Sequence, residues 1–74
     1  MNTSKISFTS RQRQVLCMLS RGLTVPEIAK RLGITHHSVK DHLDNAKDRM
    51  PIPIGQRNRV VVALWVKDNL QECE

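Results

Sequence analysis

The sequence predicts an all-α domain of four helices, and three observations predict it. Thr9, Thr24 and Thr35 each stand as a cap in front of an amphipathic stretch, Gly22 and Gly33 stop the first two stretches, and apolar residues recur at spacings of three and four. Phe8 and Trp65 are the only aromatic residues, so the interior has to be built from Val, Leu, Ile, Ala and Met. That composition favours packed helices over an aromatic-rich β-sandwich. Seventy-four residues suffice for one small core and not for two.

Taken in order, residues 1–7 are polar and read as a flexible N-terminal arm, followed by a domain over residues 8–74. The first helix opens at Thr9, with Gln12 three residues later completing a capping box. Val15, Leu16 and Leu19 form its apolar face, Gly22 ends it, and Leu23 is expected to fold back onto that face. Thr24 repeats the opening with Glu27 at the box position and Pro26 in the first turn, where a missing N–H costs nothing. This second helix runs to Leu32 and buries Ile28, Ala29 and Leu32; Ala29 lacks bulk and so admits a crossing helix. Gly33 supplies the positive φ of a sharp turn, and Ile34 fills the corner.

Thr35 opens a third helix reaching Met50, whose stripe of Val39, Leu43, Ala46 and Met50 faces the core. Its opposite side carries His37, Asp41, Asp44 and Asp48, flanked by Lys40 and Lys47. Pro51 and Pro53 forbid continuation and make the next residues a stiff connector. The last helix is expected from Arg57 to Leu70. Between Val60 and Val66 it is apolar nearly all round, more than docking on a three-helix core requires, so a second buried face through self-association is implied.

The formal charge of +5 points to a polyanionic partner, and its placement sharpens the point. Residues 1–35 hold Lys5, Arg11, Arg13, Arg21, Lys30 and Arg31 against Glu27 alone, whereas acids and bases cancel beyond them. Cys17 falls in a helical stretch and Cys73 is next to the C-terminus, so a disulfide is not expected, a reducing compartment is the simpler reading, and Cys17 reads as a small buried hydrophobe. Val60–Val66 is far shorter than the roughly 20 residues that span a bilayer, and no signal peptide is evident. His36, His37 and His42 have no carboxylate or thiol at ligand spacing, so no metal and no cofactor are expected. Nor does any arrangement of Ser, His and Asp come with a pocket to serve it; the chain does not read as an enzyme, and no small-molecule ligand is evident.

A short second helix, a glycine turn and a polar-faced third helix make a helix-turn-helix. Such a unit braces one helix so that it can enter a major groove about 12 Å wide while hydroxyl caps meet phosphates. The residues Phe8 to Leu16, Gly22-Leu23-Thr24, Glu27-Ile28-Ala29, Leu32, Ile34-Thr35, Ser38-Val39-Lys40, His42, Arg59 and the Ala63 region also resemble the LuxR/GerE type of transcriptional regulator. The resemblance covers residues 8 to about 66. It implies a four-helix LuxR/GerE-like helix-turn-helix domain whose third helix reads DNA and whose fourth pairs two subunits. On that basis His37, Lys40, Asp41 and Asp44 are assigned to base edges, and Thr24, Thr35, Ser38 and Lys47 to phosphates. Val61, Leu64 and Trp65 are assigned to a dimer contact.

Two features depart from the family. The stretch from Met50 to Arg59 is a few residues longer, and Asp41 and Asp44 replace residues more often neutral or basic. An aspartate near DNA needs a donor, which cytosine N4 provides. The expectation is therefore a cytoplasmic, nucleoid-associated bacterial regulator, stand-alone and dimeric, with double-stranded DNA as partner and RNA polymerase as a further candidate. A competing reading makes the chain an interaction protein that sequesters a related regulator through its last helix; another likens it to the DNA-binding region of a sigma factor. The charges on the third helix are also compatible with solvated i,i+4 pairs worth about 0.2 to 0.5 kcal/mol each.

Overall fold

The computed structural model describes residues 8–70, so the expected arm over residues 1–7 lies outside the described residues. Four α-helices follow one another: α1 (Ser10–Ser20), α2 (Val25–Leu32), α3 (His36–Lys47) and α4 (Arg59–Asn69). A single 3-10 turn, Ile54–Gln56, lies between α3 and α4. The described residues contain no strand.

Each helix starts where the sequence places a cap. In α1 the Gln12 N–H donates to Thr9 Oγ1 at 3.1 Å and the Thr9 N–H donates to Gln12 Oε1 at 3.0 Å, which accounts for a buried glutamine. In α2 the Thr24 N–H donates to Glu27 Oε1 at 2.8 Å and the Glu27 N–H returns to Thr24 Oγ1 at 3.4 Å. The third helix has no acid at the box position; there the Ser38 N–H donates to Thr35 Oγ1 at 3.0 Å. α4 begins two residues later than expected because Asn58 is the better cap, accepting from the Val61 N–H at 3.0 Å.

The two glycine stops share one geometry. Gly22 (φ 93°) and Gly33 (φ 69°) are left-handed. After α1, the Leu23 N–H reaches Met18 O and the Gly22 N–H reaches Leu19 O; after α2, the Ile34 N–H reaches Ala29 O and the Gly33 N–H reaches Lys30 O. These paired bonds form a Schellman motif at each end. Leu23 and Ile34 then turn back onto the core, half-buried. The second of these turns fixes the angle at which α3 leaves α2.

The core is one cluster. Val15, Leu16 and Leu19 of α1 meet Ile28 and Ala29 of α2, Val39, Leu43 and Ala46 of α3, and Val62 and Val66 of α4. Met50 and Ile52 complete it from the connector, since α3 stops at Lys47 and continues only as turns to Met50. Leu32 is half-buried rather than part of the buried set. Phe8 packs edge-on against Trp65, with ring centroids 6.2 Å apart at 78°, and so ties the start of α1 to α4.

One expectation is overturned. Cys17 is half-buried and disulfide-bonded, not a free thiol acting as a small hydrophobe. The chain's other cysteine, Cys73, lies outside the described residues.

The glycine geometry yields a paired prediction. A Cβ at Gly33 or at Gly55 meets no atom within 4 Å, so only backbone conformation separates the two sites. Gly33→Ala is expected to lower the free energy of unfolding by about 1 to 2 kcal/mol through its left-handed φ. Gly55→Ala, which has no positive φ, is expected to be neutral or to stabilise by up to about 1 kcal/mol. Urea unfolding followed by circular dichroism measures both.

Candidate nucleic-acid interface

The side of α3 turned away from the core is polar because its apolar stripe is fully used inside. Val39 and Ala46 are wholly buried and Leu43 nearly so, while His36, His37, Lys40, Asp41, Asp44 and Asn45 are exposed. α1 and α2 both pack on the inner side of α3 and brace it. The base-edge residues expected from the sequence, His37, Lys40, Asp41 and Asp44, thus share one open helix.

That polar side divides into three neighbourhoods, and the sequence did not separate them. On the outer edge His37 Nε2 lies 3.4 Å from Asp41 Oδ2, one helical turn apart, with both side chains largely exposed. The pair sits on the solvent side of α3, with the imidazole one turn toward the helix N-terminus from the carboxylate. On the inner edge Lys40, Asp44 and the half-buried Lys47 line a cavity of about 270 Å³. Leu19, Val25 and Leu43 give this cavity an apolar base, and Arg59, the first residue of α4, stands at its side.

The third neighbourhood is structural. Asp48 Oδ1 accepts from Arg57 Nη1 at 3.0 Å, and Arg57 Nε donates to Ile52 O at 3.0 Å. Arg57 therefore clamps the connector to the end of α3, and Asp48, though still exposed, is engaged by that clamp. No local pattern signals a pair nine residues apart across two prolines.

The four residues expected at phosphates have different hydrogens to offer. Thr35 Oγ1 accepts from its own helix and gives its proton to Ser38 Oγ at 3.1 Å, so the Ser38 hydroxyl proton is the outward donor of the two. Thr24 Oγ1 lies 3.2 Å from Glu27 Oε1, which takes its proton. An incoming phosphate has to compete with Glu27 for that donor.

Glu27 itself ionises more readily than an ordinary glutamate. The backbone hydrogen bond from Thr24 is the main cause, the Thr24 hydroxyl adds to it, and the charges of Arg31 and Arg59 contribute less. Arg59 thus lies within electrostatic reach of the start of α2. This influence of α4 on α2 carries no sequence signal, because the two residues are far apart along the chain.

On α4 the residues expected at a dimer contact split in two. Leu64 is 57% exposed, as is its neighbour one turn earlier, Val60, at 66%. Val61 and Trp65 are half-buried and pack against the core cluster, Trp65 against Phe8 as well. The open apolar face is therefore Val60 and Leu64, with Ile54 of the 3-10 turn also exposed at 81%.

Sequence comparison places the arrangement. Residues 6–66 match the bacterial regulatory proteins of the luxR family. The chain belongs to this family. It is 42% identical over 67 residues to a probable transcriptional regulatory protein, SgaR, of Hyphomicrobium methylovorum, covering 89% of this chain and 30% of that protein. It is 36% identical over 58 residues to the nitrate/nitrite response regulator protein NarL of Escherichia coli (strain K12), covering 78% of this chain and 25% of that protein. The luxR-family chain described here thus spans less than a third of the length of these curated relatives. No solved structure matches it significantly. Among the described residues, no group of three or more His, Cys, Asp or Glu side chains could hold a metal, and no helix is long and apolar enough to cross a membrane.

The Glu27 interaction has a pH signature. Its folded pKa is lowered from the usual 4.5, so its contribution to stability is present above the unfolded value and is lost as pH falls through the folded value. Replacing it with Gln keeps a capping-box residue and removes the charge. The difference in unfolding midpoint between wild type and Glu27→Gln is expected to be largest near neutrality and to vanish in acid, as read from urea titrations at several pH values.

Proposed function

We propose that this luxR-family domain is a sequence-specific transcriptional regulator that inserts the outer side of α3 into the major groove of double-stranded DNA as a dimer. The observation that carries the reading is the contrast within one helix: Val39, Leu43 and Ala46 are buried against α1 and α2, and His37, Lys40, Asp41 and Asp44 are open on the far side. A braced helix with a wet, hydrogen-bonding face is what direct readout requires. The net charge of +5 supports it by drawing the domain to the duplex.

Within this reading Lys40 addresses guanine O6 or N7, and Asp41, oriented by His37, accepts from cytosine N4. Asp41 and Asp44 also repel sites that offer only acceptors, so they add specificity by penalising wrong sequences. Ser38 and Thr35 at the start of α3, Thr24 at the start of α2 and Lys47 serve the backbone. No catalytic step is part of the proposal. Activity in the cytoplasm on the nucleoid follows from the DNA partner, and RNA polymerase is the further partner this function would engage.

Selection of bound fragments from a random duplex pool, followed by anisotropy titrations, tests the reading. Lys40→Ala is expected to cost about 1 to 3 kcal/mol at the selected site and little at scrambled DNA, narrowing the discrimination between them. Lys47→Ala is expected to weaken both alike. Equal losses at both sequences for both variants would overturn the assigned roles. A chain that shifts no duplex in dilute buffer yet captures a luxR-type partner would favour sequestration through α4 instead.

Dimer formation is proposed through Val60 and Leu64, with Val61 and Trp65 supporting that face from beneath. Placing two recognition helices about one duplex turn apart, roughly 34 to 36 Å, requires a two-fold pair. Leu64→Glu is expected to leave the melting curve nearly unchanged, because the side chain is exposed, while shifting the sedimentation coefficient to that of a monomer. A sedimentation profile unaltered by the substitution would rule out this face.

A further inference from the structure

The cavity beside α3 is lined by residues from all four helices, and its composition is unusual for a surface of this size. Its base is hydrocarbon from Leu19, Val25 and Leu43; around it stand the cations Lys40, Lys47 and Arg59, with Asp44 as the only acid among the lining residues. Val25 and Arg59 are the first residues of α2 and α4, so two helix N-termini also border it. At about 270 Å³ it is smaller than most pockets that enclose a drug-sized ligand, and it opens beside the reading edge of α3.

A nucleotide backbone presents the complement of such a cleft: one negative phosphodiester attached to a sugar whose C–H edge is apolar. Resting on the proposed reading of α3, we propose that this cleft holds one backbone unit of the duplex, with its phosphate between Arg59 and Lys47 and its deoxyribose against Val25 and Leu43. The occupant is the backbone of the bound DNA rather than a free anion, because Lys40 and Asp44 belong both to the cleft and to the open side of α3. Arg59 becomes a DNA contact on the helix that carries the exposed Val60 and Leu64, so one nucleotide links groove reading to subunit pairing.

The test is a salt series of anisotropy titrations on wild type and Arg59→Gln, with circular dichroism confirming that each folds. Arg59→Gln is expected to reduce the magnitude of the slope of log K against log salt by about 0.9, with equal fold-losses on selected and scrambled duplex. An unchanged slope in Arg59→Gln, or a loss confined to the selected duplex, overturns the clamp while leaving the reading of α3 intact. A wild-type chain that ignores duplex overturns both. In a parallel NMR arm, saturable shifts of the Val25 and Leu43 methyls with inorganic phosphate alone would assign the cleft to a free anion and contradict the proposal.

Discussion

The burial of the inner stripe of α3 is the constraint on which everything else rests. Val39 and Ala46 have no accessible surface and Leu43 almost none, so any rotation of α3 about its axis exposes aliphatic groups and buries charges. A one-residue rotation of a helix amounts to about 100°, enough to turn Lys40 or Asp44 into the core. The orientation of the polar side is therefore set by the hydrophobic effect acting behind it. The Gly33 turn and the Thr35 cap fix where the helix begins, and the stripe fixes which way it faces.

Local signals made much of this legible. The capping boxes of Thr9 with Gln12 and Thr24 with Glu27 act over three residues, and the glycine turns act over five or six, so sequence spacing alone reveals them. The apolar period of α3 is equally local, which is why its buried and open sides could be told apart before any coordinates. Contacts between distant segments were not legible. Arg57 reaching back to Asp48 and Phe8 resting on Trp65 depend on how distant segments meet, which no short pattern encodes. The disulfide at Cys17 likewise went against the sequence reading.

The same division explains the character of the candidate site. Its exposed polar residues on α3 lie on a single helix at spacings of three and four, so the sequence could name them together. The cationic cleft beside them is lined by residues of four helices and could not be named. The acidic residues of α3 show the difference between pattern and place: three aspartates on one polar side have three different neighbours, His37, the cationic cleft and Arg57.

The central claim is that the open side of α3, rather than the apolar face of α4, is the surface that meets a duplex. Intermolecular nuclear Overhauser effects in a complex of the labelled chain with a selected duplex test it most directly. The account predicts contacts from the His37 ring and the Lys40 side chain to major-groove protons such as cytosine H5 or thymine methyl. Contacts confined to Val60, Leu64 and their neighbours, with α3 resonances unmoved by DNA, would contradict it.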